Sequence, residues 1–293
     1  MRQPMVGTRL AFALAVAPLL PTPAALAAEP VAGTMPAHLR DRGTGVPTSQ
    51  VGAYVRRGEL FVYPALAHAR DHDFEYDPNE FGFAAPGEFK GRYRESRGLL
   101  AVAYGWTDRV AVELEANVKR ASLEKGAGDP SAFPARLEES GLGKVKARVN
   151  LRWLEERGRR PELFGYGELV APHDSSEHLI GTENWIVNGG LGVIRGFQAG
   201  TVTFRAGFEW DTASASPTDW QEIALEYLKR VTPSWTVYGA LTVSEGDEGS
   251  VVGELQWRAS RHVTLRLRSA YGLSPHGPDW APEVGVRIAA GGG

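Results

Sequence analysis

The sequence predicts an all-β fold: a transmembrane, antiparallel, up-and-down β-barrel of about twelve strands, of the outer-membrane type. Three observations carry this expectation. Apolar and polar residues alternate through segments of about ten residues, every long connector between segments falls at an odd position, and tryptophans gather at segment ends. Alternation with period two means a strand with two unlike faces. It is clearest from Leu142 to Trp153, where Lys144, Lys146, Arg148, Asn150 and Arg152 interleave with Val145, Ala147, Val149, Leu151 and Trp153. A soluble sheet shows the same alternation, so connectors and tryptophans must separate the two.

The chain opens "MRQPMVGTRLAFALAVAPLLPTPAALAAEP". Arg2 and Arg9 precede an apolar run from Leu10 to Leu20, and Ala25-Leu26-Ala27 supplies a small-x-small site. This reads as a secretory signal peptide over residues 1–27, removed on export. The run falls short of the roughly 20 apolar residues of a spanning helix and contains prolines. Residues 28–57, including "AHLRDRGTGVPTSQVGAYVRRGE", lack alternation and read as a periplasmic leader or a plug folded into the lumen. Residues 58–293 form the expected barrel. The formal net charge is −3, and the leader contributes only cations, so the exported chain is more acidic and nucleic acid is not an expected partner. With no cysteine, the exported fold must hold without disulfides.

In order, the expected strands are Glu59 to Ala69, Arg92 to Gly105, Val110 to Arg120, Leu142 to Trp153, Pro161 to Ala171, Trp185 to Arg195, Thr201 to Asp211, Trp220 to Arg230, Trp235 to Ser244, Ser250 to Arg258, Val263 to Gly272 and Trp280 to Ala289. The long connectors (Arg70 to Gly91, Ala121 to Gly141, and "PHDSSEHLIGTEN") are all odd-numbered. The even ones, such as "WTD", "GFQAG" and "VTPS", are all short. Long loops outside and short turns on the periplasmic side are the asymmetry of an outer-membrane barrel, and an even strand number returns both ends of the barrel to one side. Trp106, Trp153, Trp185, Trp210, Trp220, Trp235, Trp257 and Trp280 stand at or near strand ends, as the aromatic girdle of a membrane barrel requires. About eight strands already make a barrel that side chains just fill. Twelve with apolar residues inward would leave a void, whereas apolar residues facing lipid and charges facing water would not.

That phase points Lys144, Lys146, Arg148 and Arg152 into the lumen and Val145, Val149 and Leu151 into lipid. Slipping by one residue would move four cations into hydrocarbon, at roughly 2–4 kcal/mol each near the midplane. The same phase places Glu113, Glu115 and Lys119 inward on the preceding strand, where an acidic pair meets the basic ladder. Further round, Arg205 and Glu209 oppose Glu222 and Glu226, Glu254 and Arg258 sit beside Arg266 and Arg268, and Glu283 and Arg287 follow. A lumen lined by both signs offers a polar path rather than a sharp ion filter.

Sites for chemistry are weak. "HARDHDFEYD" gathers His68, Asp71, His72, Asp73, Glu75 and Asp77, but in an extended strand His68 and His72 lie about 13 Å apart, too far for one ion. "APHDSSEH" offers His173, Asp174, Ser175 and His178 in a loop, a lipase-like set without the ordered partners such catalysis needs. No catalytic residue, metal site or cofactor is expected.

Gly141-Leu142-Gly143 entering an alternating strand, "ELFGYGELVAP", "NWIVNGGLGVIRGF" and the closing "WAPEVGVRI" together resemble the outer-membrane channel proteins of phenol-degradation (meta-pathway) operons, over residues 99 to 288. The family commonly has an acidic residue after its Gly-Leu-Gly, where Lys144 stands here. The resemblance implies an outer-membrane barrel acting as a channel or passive transporter for small molecules, with outer-membrane lipid and lipopolysaccharide as surroundings. The alternatives are a plugged structural or adhesive barrel and an outer-membrane lipid enzyme. The ending "VGVRIAAGGG" lacks the terminal aromatic residue common in bacterial barrel proteins.

Overall fold

The computed structural model describes residues 36, 39–50, 52–84, 87–173, 177–182, 184–212, 218–244, 248–274 and 278–292. The expected signal peptide and the first residues after it lie outside this set. Two short strands, β1 (Val46–Pro47) and β2 (Tyr54–Val55), pair antiparallel as a small ribbon. Twelve longer strands follow: β3 (Glu59–Tyr76), β4 (Phe89–Gly105), β5 (Val110–Glu124), β6 (Arg136–Leu154), β7 (Glu162–Ala171), β8 (Ile186–Gly196), β9 (Thr201–Asp211), β10 (Thr218–Arg230), β11 (Trp235–Ser244), β12 (Glu248–Arg258), β13 (Val263–Gly272) and β14 (Ala281–Gly291). Each pairs antiparallel with its chain neighbours, and β14 closes on β3, so the sheet is a closed barrel of twelve strands. Among the described residues no helix is long and apolar enough to cross a membrane.

One end of the barrel, here the turn end, carries the start of β3, the end of β14 and the short turns; the other is the loop end. Between them the outer face is an apolar belt whose members include Leu66, Leu100, Leu114, Leu191, Phe204, Leu241 and Leu267, all exposed. Such a surface on every strand of a closed barrel matches hydrocarbon rather than water. All eight tryptophans are exposed as well. Trp106, Trp153, Trp235 and Trp257 lie at the turn end, and Trp185, Trp210, Trp220 and Trp280 at the loop end. Trp235 and Trp257 face each other across β11 and β12 and stack at 6.1 Å.

The strands depart from expectation at the loop end of β3 to β6. β3 continues to Tyr76 rather than Ala69, β4 starts at Phe89, β5 runs to Glu124, and β6 starts at Arg136. The supposed long connectors shrink to residues 77–88 and 125–135. The reason is an inversion of pattern. Beyond the belt the outward residues are charged (Arg70, Lys90, Arg92, Arg94, Arg120, Arg136). Inside them an apolar cluster forms from strand and loop residues, with Tyr76, Leu123 and Phe133 buried and Phe74, Phe81, Phe83, Phe89, Leu137 and Leu179 packed on them. A search for apolar-outward alternation stops where water replaces lipid. Register shifts add to the effect, since β3 is irregular between Asp71 and Phe74, and β5 places Asn117 against both Gly143 and Lys144 of β6. At that bulge Leu142 and Lys144, two residues apart, point to opposite faces. A Cβ on Gly143 would strike the Asn117 side-chain oxygen, so glycine is what lets the bulge close.

Candidate channel interior

The inner face has two unlike walls. On β3, β4 and β5, Phe61, Tyr63, Ala65, Leu99, Ala101, Ala103 and Ala111 form a largely small-residue apolar wall. The ribbon packs on it through Val46, Ala53 and Val55, all essentially inaccessible. The alanines leave the room the ribbon occupies. Gly105 lets the chain before β3 come close, since a Cβ there would collide with the Arg56 carbonyl, and Gly58 N donates to Gly105 O at 2.8 Å. From the ribbon Tyr54 reaches the opposite wall, packing against the clusters of Phe164, Tyr166 and Ile194 and of Leu228, Tyr238, Ala240 and Val252. The described part of the N-terminal segment therefore spans the interior. Beside it a cavity of about 30 Å³, bounded by Ser49, Tyr54, Arg148, Arg205 and Glu226, is on the scale of a water.

Ion pairs hold this segment in place. Arg42 is buried between Glu156 at 3.0 Å and Glu162 at 2.8 Å. Glu162 also meets Arg152 at 3.4 Å, and Glu156 meets Arg195 at 3.1 Å. Asp41 accepts from the Arg230 amide at 2.9 Å and lies 3.5 Å from Lys229. The Glu113 carboxylate accepts from the Ser49 amide and hydroxyl at 2.9 and 2.5 Å and from the Asn150 side chain. Breaking one member of a buried pair costs roughly 3–5 kcal/mol, because it leaves a charge without its counter-ion. Arg42 and Glu113 thus latch the segment to two sides of the barrel.

Every residue expected in the lumen lies on the inner face or, for Arg152, Glu113, Glu226, Glu254 and Arg266, is buried there. Glu113 stands opposite Arg148 and Glu115 opposite Lys146 in register. Lys146 is 3.5 Å from Glu115 and 3.9 Å from Glu168, and Arg148 is 3.5 Å from Glu168 with its guanidinium 3.6 Å above the Tyr166 ring. Lys119 pairs with Glu95 at 3.2 Å. Arg205 bridges Glu222 and Glu226, each at 2.6 Å, whereas Glu209 does not oppose them: the irregularity of β10 between Trp220 and Ile223 sets it across from Asp219 and Asn188. Glu254 binds Arg266 at 2.7 Å rather than its register partner Arg268, with Arg258 one strand turn nearer the turn end. Glu283 accepts from Tyr63 at 2.9 Å, and Arg287 donates to Thr264 at 3.3 Å. Of the four cations in the β6 ladder, Lys144 alone makes no ion pair among the described residues.

Several partners were not expected from the sequence: Arg42, Glu95, Glu156, Glu162 and Glu168. In β7 the phase is hidden because Gly165 and Gly167 occupy the outer face while Phe164 and Tyr166 face inward. The usable signal was the spacing of Glu162 and Glu168, six residues apart and so on one face.

Among the described residues neither loop cluster assembles a site. His68 Nδ1 contacts Ser96 Oγ at 3.1 Å, and His72 Nδ1 lies 2.5 Å from Asp279. Among the described residues no three His, Cys, Asp or Glu side chains are grouped to hold a metal ion. Asp174 and Ser175 lie outside the described residues, and His178 packs edge-on against Phe81 at 5.8 Å.

A closed twelve-strand antiparallel barrel with an apolar outer belt, tryptophan at both rims and charged groups inside defines the class: an outer-membrane-type β-barrel. Among solved structures the chain resembles an outer membrane channel from Pseudomonas putida F1, with a TM-score of 0.62 and 16% identity, over 84% of this chain and 100% of that one. It also matches the KdgM porin, solved with a disordered oligogalacturonate (TM-score 0.48, 8% identity, 78% of this chain and 98% of that one), and the NanC porin (0.48, 10%, 77% and 98%). No family model and no curated protein matches the sequence.

Proposed function

We propose that the protein is a channel or passive transporter for small molecules in the cell outer membrane, reached by export through the periplasm. The observation that supports this best is the polarity of the closed barrel: apolar belt outside, ion pairs and hydrogen-bonding groups inside. In this reading the turn end faces the periplasm and the loop end faces outward. A cysteine at Gly128, which is exposed and has open space around it, should react with an impermeant reagent on intact cells. One at Ser260, in a turn, should not. The reverse pattern would overturn the orientation.

Solute passes around or past residues 36–57, whose docking narrows the path at the turn end. The barrel without this segment should conduct in planar bilayers more strongly than the full chain. Arg42→Ala, which leaves Glu156 and Glu162 without their shared cation, should move conductance in the same direction. Because Lys146, Arg148 and Arg152 have carboxylate partners, the contribution of the β6 ladder to any anion preference rests mainly on Lys144. Lys144→Gln should shift the reversal potential toward cations at about 0.1 M salt and less at 1 M, where the screening length falls from about 10 to 3 Å.

The spanning ribbon supports a second reading, a plugged structural barrel with no transport. Absence of conductance both with and without residues 36–57 would favour it. An enzymatic role draws no support from the geometry of the loop histidines, and lipid turnover by the purified protein would revive it.

A further inference from the structure

From the outward residues of β3 to β5 just above the belt, we propose that Arg70, Arg94 and Arg120 form a binding site for the phosphate groups of the phosphorylated glycolipid in the outer leaflet. The inference goes beyond channel activity but rests on the outer-membrane location proposed above.

The rows of the sheet set the height of the site. Leu66 pairs with Gly98 in the last apolar row, His68 with Ser96 in the next, and Arg70 with Arg94 in the one after. Rows two residues apart are spaced about 6.6–6.8 Å along the strands, so the Cα atoms of both arginines lie about 13 Å along the sheet beyond the Leu66 row. Arg120 stands opposite Ser96, diagonal to Arg94 on the neighbouring strand. The Arg70 amide donates to the Trp280 carbonyl at 3.1 Å, which ties the arginine row to the loop-end rim of tryptophans. Indole at a barrel rim marks the headgroup level.

The charges there are not balanced within the protein. Lys90 pairs with Glu75, Arg92 and Arg136 share Glu124, and Arg136 and Arg120 share Glu138. Asp279 is engaged by His72. Among the described residues the Arg70 side chain donates to the His68 ring alone, and neither Arg70 nor Arg94 meets a carboxylate. Two like charges directly opposite in a sheet repel. A phosphate between them removes the repulsion and receives the forked, charge-assisted hydrogen bonds that arginine gives best. Acyl chains of the same lipid would then lie on the belt directly below, through Leu66, Val118 and Leu142, each exposed.

The test is binding of bisphosphorylated lipid A and of its dephosphorylated form to the full-length protein refolded in detergent, read by native mass spectrometry. The wild type should prefer the phosphorylated form by at least about tenfold, the scale of one or two charge-assisted hydrogen bonds. Arg70→Gln/Arg94→Gln should lose that preference, Arg70→Lys/Arg94→Lys should keep part of it, and Arg261→Gln at the turn end should keep it all. Heat-modifiable gel migration reports that each variant is a folded barrel. Equal affinity of the wild type for both lipids, or an undiminished preference in the Gln pair, overturns the proposal. So does full competition by inorganic phosphate at the lipid's own concentration, which would make the ligand a free anion. Conductance is expected to be the same in the Gln pair, so failure here is separable from failure of the channel reading.

Discussion

On β3 to β6 the same four strands build both a part of the belt and the extension above it, yet the outer face changes from apolar to charged. In the belt, β6 sends Val149 and Leu151 outward and Arg148 and Arg152 inward; at its start, ten or more residues earlier, it sends Arg136 and Glu138 outward and Leu137 inward. The strand geometry is continuous. What changes is the medium outside: hydrocarbon below, water and headgroups above. Alternation therefore reports which side of a strand is wet, and a barrel that rises out of its membrane must invert its pattern to keep a core. The extension is in effect a small soluble sheet, closed over Phe133 and Leu123, built onto the rim of a membrane barrel.

Substitutions that act on one region and spare the other can break this comparison. The largest effect is expected at Phe133→Ala, where removal of a buried aromatic side chain costs roughly 3–5 kcal/mol. It should appear as faster proteolysis of the segments around residues 77–88 and 125–135, with the heat-modifiable migration of the barrel unchanged. Loss of the whole barrel would mean that the two regions fold as one unit. Next comes Val149→Arg, which puts a cation against lipid and should cost about 2–4 kcal/mol near the midplane, measured by denaturant titration in bilayers. Arg92→Leu makes the opposite exchange above the belt and should change stability by only about 0.5 kcal/mol, as an exposed substitution does. A cost like that of Val149→Arg would show that the extension meets a different medium.

The smallest effect concerns the loop-end contact between His72 and Asp279. The hydrogen bond from the His72 ring holds the Asp279 carboxyl below its ordinary range. A depressed carboxyl stabilises the folded contact above the unfolded aspartate value of about 3.9, and the contribution is lost as pH falls through the lower folded value. Hydrogen exchange at the His72 amide, which donates to Asp279 at 3.0 Å, should therefore gain protection with rising pH over that acidic window once intrinsic exchange is corrected. Asp279→Asn should remove the dependence.

The barrel was legible because lipid and lumen impose opposite demands on successive residues. Lys144 to Trp153 and Val110 to Lys119 display both, and their register could be read directly. Three kinds of information were not legible. The inner wall of Ala101 and Ala103 looks outward-facing by composition, since its partner is the apolar ribbon rather than water. Glu162 and Glu168 were masked by glycines on the opposite face. Arg42 lies in a segment with no periodicity, and its role depends on Glu156 and Glu162, more than a hundred positions away. Pairings of that range leave no local trace in the residues around them.

The closing seam has a consequence for assembly. β14 pairs with β3 from Gly291 opposite Glu59 to Glu283 opposite Ala67, but the ladder skips Val286 and Arg287, which face Pro64 and Tyr63. Proline has no amide hydrogen to donate. Because the partners lie at the two extremes of the barrel sequence, β3 waits as an open edge until the last strand has arrived, a long-range closure of the kind that makes folding slow and exposes edges to mispairing. When closure comes, it must zip in two short stretches, one on each side of the proline. Replacing Pro64 with a residue that can donate should let the two stretches form as one, read as faster appearance of the heat-modifiable barrel on refolding.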